Sequence, residues 1–220
     1  MQCIKDTIKN INIVIGCNIG CSYCYARMNN NRFHTIDDFN KPVFFENKLK
    51  MLDNKRHTAY LLTGQSDLSG WNEEWKDKVF SKMKENENTQ YIFLTKRPEN
   101  INLKETPDNG WFGVTVTSSK EKTRIDYLRN NIKAKHYHIT FEPMFDDVGK
   151  LDLNNISWIV IGTETCNRKG KISSKREWVF NIYNQAKEKN IPVFMKEDLL
   201  GILNEDEFVQ EFPKEFGEIK

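Results

Sequence analysis

Ile11-Asn-Ile-Val-Ile15-Gly-Cys17-Asn-Ile-Gly-Cys21-Ser-Tyr-Cys24-Tyr25 sets an apolar, β-branched run directly before three thiols, spaced by three and then two residues. The apolar run reads as a first strand that feeds the thiol loop. Six further runs of the same kind recur at 58–62, 91–94, 112–116, 137–141, 158–161 and 192–195. Helical patterns fill the intervals at 25–32, 46–53, 73–86, 120–131 and 175–189. In the last of these, Val179, Ile182, Tyr183 and Ala186 form an apolar stripe at helical spacing, expected to face the core. Near-continuous apolar strands suit a parallel sheet covered on both faces. Alternation of strand and helix gives an open doubly wound sheet or a barrel. Seven strands fall short of a full eightfold barrel, so the expected fold is α/β: a partial, incomplete parallel (β/α) TIM-like barrel of six to seven strands.

The chain has 220 residues, enough for one domain with a substantial core, so residues 1–220 are read as a single domain. Residues 199–220 are expected to form a helical tail, with a helix over 205–216 covering one sheet edge. Thirty-three basic and 31 acidic residues leave a formal charge of +2, which gives no footprint for nucleic acid. No run is long enough to span a bilayer, and the first ten residues contain no apolar segment of a signal peptide. A cytoplasmic protein follows, in which thiols stay reduced. The five cysteines then point to metal binding or catalysis rather than disulfides. Cys3 and Cys166 stand alone and read as small buried side chains.

Each expected strand ends in a polar cluster: Cys17 after the first, Thr63–Asp67 after the second, Thr95-Lys-Arg97 after the third, and Thr117-Ser-Ser119 after the fourth. Glu142-Pro143, Gly162-Thr-Glu164 and Lys196-Glu-Asp198 follow the remaining three. Ligands of such sheets bind at the carboxyl ends of the strands, so these clusters are expected to share one rim. Cubane iron–sulfur clusters usually take four thiolates. Three closely spaced ones leave an iron open for substrate or cofactor. Zinc would want a fourth Cys or His at closed spacing, whereas His34 lies ten residues beyond Cys24.

The thiol spacing, the aromatic Tyr23 before the third cysteine and the position after the first strand resemble the signature loop of the radical S-adenosylmethionine (radical SAM) superfamily. The resemblance implies that Cys17, Cys21 and Cys24 hold a [4Fe–4S] cluster whose fourth iron chelates S-adenosyl-L-methionine (SAM). Reduction of the sulfonium would release a 5′-deoxyadenosyl radical. Thr63-Gly-Gln-Ser-Asp67 looks like the superfamily's short turn that binds the methionine amino group, with Gly64 single where a double glycine is usual. That departure leaves open which of Gln65, Ser66 and Asp67 contacts methionine. Thr115 or Thr117 would meet the ribose, and Tyr23 would line the adenine.

From about residue 11 to 198, the segments SDLSG, FLTKRPEN, FGVTVTSS, FEPM, WIVIGTET and PVFMKED fall in an order that resembles a small phage-associated radical SAM family, and within it the queuine lyases of clostridia. That resemblance implies cleavage of the C–N bond of queuine, leaving 7-aminomethyl-7-deazaguanine, with flavodoxin or ferredoxin as electron donor. The donors of a deazaguanine call for carboxylates, for which Asp67, Glu142, Glu164 and Glu197 stand at strand ends. Phe141, Trp71 and Phe145 are candidates for the face of the base. Thr163, His138 and Asn167 are candidates for the diol. Lys196 could hold a carboxylate or donate a proton, and Lys196 and Glu164 are the expected catalytic pair. Two other classes compete: a radical SAM enzyme acting on nucleic acid, for tRNA modification or DNA repair, and a non-catalytic iron–sulfur sensor. The near-neutral charge disfavours the first, and the converging strand ends disfavour the second.

Overall fold

Apolar, β-branched segments that bury both faces build the centre of the molecule. The computed structural model describes residues 2–54, 59–165 and 168–217. Its strands are β1 (Ile8–Asn10), β2 (Val14–Ile15), β3 (Val43–Phe44), β4 (Ala59–Leu61), β5 (Gln90–Thr95), β6 (Gly110–Thr115), β7 (His136–Phe141), β8 (Ile156–Ile161) and β9 (Val193–Met195). Seven of them form one sheet in the order β1-β4-β5-β6-β7-β8-β9, every pair parallel. The sheet curls into a half-barrel, the expected partial TIM-like architecture. β2 and β3 pair antiparallel apart from it.

The α-helices are α1 (Ile4–Thr7), α2 (Tyr25–Phe33), α3 (Glu73–Glu85), α4 (Thr123–Asn131) and α5 (Arg176–Glu188). α3 begins where Asn72 accepts a hydrogen bond from the Trp75 amide (2.9 Å), with Glu73 and Glu74 in its first turn and Lys82 and Lys84 in its last. One face of the sheet (Tyr91, Phe93, Phe112, Val114, Ile139, Phe141, Ile159, Met195) packs with helix residues such as Val79, Met83, Leu128 and Ile182. The expected stripe on α5 buries Val179, Ile182 and Ala186, with Tyr183 partly buried against the same core. The concave face carries a second cluster of Ile8, Ala59, Ile92, Trp111, Trp158, Val160, Phe194 and Phe216.

Three expectations are corrected. The first parallel strand is residues 8–10, not 11–15. The ladder reaches Ile11, whose amide donates to Leu61 O (3.0 Å), and a tight Ile13 N–Ile11 O contact (3.2 Å) then turns the chain outward to β2. The helix expected over 46–53 is a 3-10 segment, Glu46–Asp53. The tail is not helical: it has only 3-10 turns at Glu205–Glu207 and Lys214–Phe216. Between them it runs antiparallel to β9, with Met195 N donating to Val209 O and Glu211 N to Val193 O (2.8 Å each). An edge strand with open hydrogen-bonding groups is thereby capped. No described helix is long and apolar enough to cross a membrane.

Candidate functional site

The thiol loop is built onto the carboxyl end of the sheet by glycines. Gly16 has φ +113, and a Cβ there would meet Pro42 Cα at 2.9 Å. Its amide donates to Gln65 O (2.9 Å), so the base of the loop is tied to the turn after β4. Gly20, also at positive φ, turns the chain between Cys17 and Cys21. Cys24 caps α2, its Sγ accepting from the Arg27 amide at 3.4 Å. All three cysteines are free and partly buried. Burial, followed by the charges of Asp67, Cys24 and Cys21, pushes the Cys17 thiol up to about 11, so the trio shares one electrostatic environment. Burial and then Cys21 hold the Tyr23 hydroxyl well above the usual phenol range. The Tyr23 ring packs edge-on against Phe145 (5.4 Å). Among the described residues, no three His, Cys, Asp or Glu side chains converge as they would around a single metal ion.

Beside the loop, the lack of a side chain at Gly64 lets two amide side chains close in on its backbone. A Cβ there would lie 2.9 Å from Asn12 Oδ1 and 3.3 Å from Asn10 Nδ2. Asn12 Oδ1 is buried without a partner among the described residues. The Gly64 carbonyl accepts from the Tyr25 hydroxyl at 2.5 Å. Burial of that hydroxyl, then the charges of Glu142 and Cys24, push it up to about 12, although 46% of the residue as a whole is exposed. Tyr25 thus ties the start of α2 to the turn after β4, within electrostatic reach of a second group of residues.

That group is an ion cluster. Lys196 Nζ contacts a Glu142 oxygen and lies 3.3 Å from Asp198 Oδ2. Gly162 makes room for all three: a Cβ would sit 3.1–3.2 Å from Glu142, Lys196 and Asp198. Desolvation draws the Lys196 ammonium down, but the two carboxylates outweigh it and hold it above the ordinary lysine range. Desolvation also pushes Asp198 up to about 6, against the pull of Lys196. Its Oδ1 accepts from the Thr163 amide (3.2 Å). On the far side, Lys96 Nζ lies 3.4 Å from Thr115 Oγ1 and 5.8 Å from the centre of the Tyr23 ring.

The sequence-predicted residues divide accordingly. Cys17, Cys21, Cys24, Tyr23, Gly64, Thr115, Glu142 and Lys196 belong to this connected rim. Gln65 contributes the carbonyl that takes the Gly16 amide, and Ser66 Oγ accepts from Trp71 Nε1 (3.0 Å). Asp67 is committed to its own chain: it accepts from Ser69 N (3.0 Å), Ser69 Oγ and Thr95 Oγ1 (both 2.7 Å) and Lys96 N (2.8 Å). Thr117 is likewise engaged, by the Glu121 carboxylate. Thr163 Oγ1 accepts from Ser174 Oγ (3.0 Å). Glu164 is held two-pronged by Arg168 (2.8 and 2.9 Å), which keeps its carboxyl below the usual range. Glu197 takes the Cys3 thiol at 3.0 Å, so Cys3 is a partnered group rather than an idle one.

His138 lies deeper, fully buried over Gly113, with Nε2 3.0 Å from Phe93 O. Trp71 and Phe141 are core side chains. Cys166 and Asn167 lie outside the described residues. Lys96 and Asp198 stand in the expected strand-end clusters but were given no role from sequence, and Asn10 and Asn12 were not singled out. Asn10 and Asn12 alternate around Ile11, which places both on one face, and that spacing was the available signal. A shallow hollow of about 490 Å³, lined by Lys84, Gln90, Asp108, His136 and Glu215, lies at the opposite ends of the strands, and its mixed charges oppose one another.

Fold and rim together define an α/β half-barrel protein with a three-thiol loop and a half-buried ion cluster at the carboxyl ends of its strands. The chain belongs to the DUF5131 family, described as a protein of unknown function, whose model matches residues 2–218. No curated protein and no solved structure matches it.

Proposed function

We propose that this protein is a radical SAM lyase that cleaves the C–N bond of queuine to give 7-aminomethyl-7-deazaguanine. The observation that carries the reading is a loop of three free thiols tied to the turn after β4, by the Gly16 amide to Gln65 O and by the Tyr25 hydroxyl to Gly64 O, with the Lys196–Glu142–Asp198 cluster on the same rim. The donor set fits the cofactors: three thiols on one loop, and an unpartnered amide oxygen, Asn12 Oδ1, beside a glycine backbone that a Cβ would crowd. Cys17, Cys21 and Cys24 would hold the [4Fe–4S] cluster, and Gly64, Asn12, Tyr23 and Thr115 would hold SAM. Cluster and SAM, when bound, supply the one-electron chemistry, with the electron coming from a flavodoxin- or ferredoxin-type donor.

The chain binds and orients the base and handles protons. Glu142 accepts from the donors on the base, and Phe145 offers it an aromatic face. Lys196, pinned between two carboxylates, orients them and stays charged. Asp198 sits near neutrality and is the better proton donor to the departing nitrogen, because acid catalysis is most effective near the working pH. Glu164, neutralised by Arg168, supports the 164–174 loop instead of transferring protons.

The test is anaerobic incubation of iron-loaded protein with SAM, a reductant and, separately, queuine, its nucleoside and a tRNA. Queuine should stimulate 5′-deoxyadenosine release with matching 7-aminomethyl-7-deazaguanine. Release unchanged by queuine would overturn the lyase reading, and stimulation by tRNA alone would move the substrate to nucleic acid.

A further inference from the structure

Arg27 is bound to the thiol loop at both ends. Its guanidinium donates to Cys17 O at 2.7 Å, and its own amide donates to Cys24 Sγ at 3.4 Å. The guanidinium lies 5.0 Å from the centre of the Phe39 ring, and the Phe39 carbonyl accepts from the Cys17 amide at 2.6 Å. A small frame of Cys17, Arg27, Phe39 and Cys24 therefore fixes the first and third thiols relative to one another. Arg27 Nε is buried and has no hydrogen-bond partner among the described residues. No described carboxylate forms an ion pair with Arg27. Asp38, partly exposed on the facing loop, feels its charge only as the weakest of several influences. A buried guanidinium nitrogen without a hydrogen-bond partner is unfavourable unless something compensates it. Cys17, whose carbonyl the guanidinium holds, carries one of the three thiols.

We propose that Arg27 is the positioning residue of the thiol loop, holding Cys17 and Cys24 at their spacing and compensating the negative charge of a thiolate-bound cluster. The inference rests on the cluster reading above and adds a group outside the thiols that governs retention and reduction potential. A planar fork that is always charged suits this place better than an ammonium does. Groups outside the ligand shell of a metal site commonly change affinity by about 10–100-fold.

The experiment compares anaerobically reconstituted wild type, Arg27→Gln and Arg27→Lys, by the rate of iron loss to a chelator and by an EPR-monitored redox titration. Arg27→Gln should lose iron about tenfold faster or more, and its potential should move to more negative values, since the extra electron meets less positive charge. Arg27→Lys should restore the potential while still losing iron faster, because it keeps the charge and loses the fork. If Arg27→Gln does not fold, the lysine variant still decides: iron loss at the wild-type rate overturns the proposal. Wild-type iron loss and potential in Arg27→Gln also overturn it, and faster loss at unchanged potential overturns the charge compensation. Wild type that takes up no iron at all sinks the cluster reading itself, an outcome distinct from the others.

Discussion

The two ends of the concave face of the sheet follow opposite rules. At the amino-terminal ends, Trp111, Trp158, Phe194, Phe212 and Phe216 interlock, with ring centres 4.7–5.2 Å apart in the close pairs. The indole N–H groups of this floor are paired, Trp158 Nε1 donating to Glu211 O (3.1 Å) and Trp111 Nε1 to Gln90 Oε1 (2.9 Å), whereas the buried His138 Nδ1, level with Trp158, has no hydrogen-bond partner among the described residues. At the carboxyl ends, Asn12 Oδ1, Arg27 Nε and Glu197 Oε2 are buried without hydrogen-bond partners among the described residues. Leaving a buried polar group unpaired costs about 1–3 kcal/mol. Such groups gathered at one end are what a site looks like when its pairing awaits a ligand. The tail seals one end of the barrel, and the polar rim occupies the other.

The sharpest way to break the comparison is a rim substitution that abolishes function while leaving stability intact. Cys21→Ala should reduce bound iron and 5′-deoxyadenosine formation to background. Its urea midpoint without iron should stay within about 0.5 kcal/mol of wild type, because Cys21 is only partly buried. Full activity in this variant would remove the thiol loop from the chemistry. The floor should behave in reverse. Trp158→Ala empties a site between β8 and the tail and should lower unfolding free energy by about 3–5 kcal/mol. If that loss fell below about 1 kcal/mol, the tail would not be sealing the barrel.

His138 lies between the two regions and gives the comparison a pH axis. Burial, only partly opposed by its backbone bonds, lowers its pKa from 6.5 to about 4. The unfolded chain therefore takes up a proton at higher pH than the folded one. The stability that His138 contributes is complete above about pH 6.5 and is lost as pH falls toward 4, a change of about 3 kcal/mol. Urea unfolding from pH 7 to 4 should show this decline, and His138→Phe should flatten it. An unchanged slope in the variant would assign the decline to other groups.

Most of the half-barrel was legible because buried parallel strands are apolar at nearly every position; β6 is buried throughout. The first strand was misplaced for the same reason. Residues 8–10 contain Lys9 and Asn10 yet pair with β4 at the sheet edge, while the more apolar 11–15 turns away. Apolar content reports burial, not partners. The tail was expected as a helix, but Pro213 lacks an amide, and the open edge of β9 offered residues 209–211 ladder bonds instead. At the site, the cysteine spacing was readable because its meaning is local. Asp67 and Asp198 are alike in sequence, each an acid after a strand. Only the fold gives one of them four hydrogen-bond donors and sets the other against the Lys196 ammonium.

The smallest expected effect is the most discriminating, because it asks whether the bare backbone at Gly64 is an accident of packing. Gly64 has no positive φ, so alanine meets no backbone strain there. The atoms its Cβ would press, Asn12 Oδ1 and Asn10 Nδ2, are the far ends of flexible side chains that can give by a few tenths of an ångström. Gly64→Ala should therefore change stability by no more than about 1 kcal/mol. A ligand held against that backbone would lose both the space and the Asn12 oxygen. SAM affinity of iron-loaded protein, measured by equilibrium dialysis, should then fall by roughly tenfold, equivalent to about 1.4 kcal/mol. Equal SAM binding in the alanine variant would mean that the side chain is missing by chance, and the methionine end would have to be sought elsewhere on the rim.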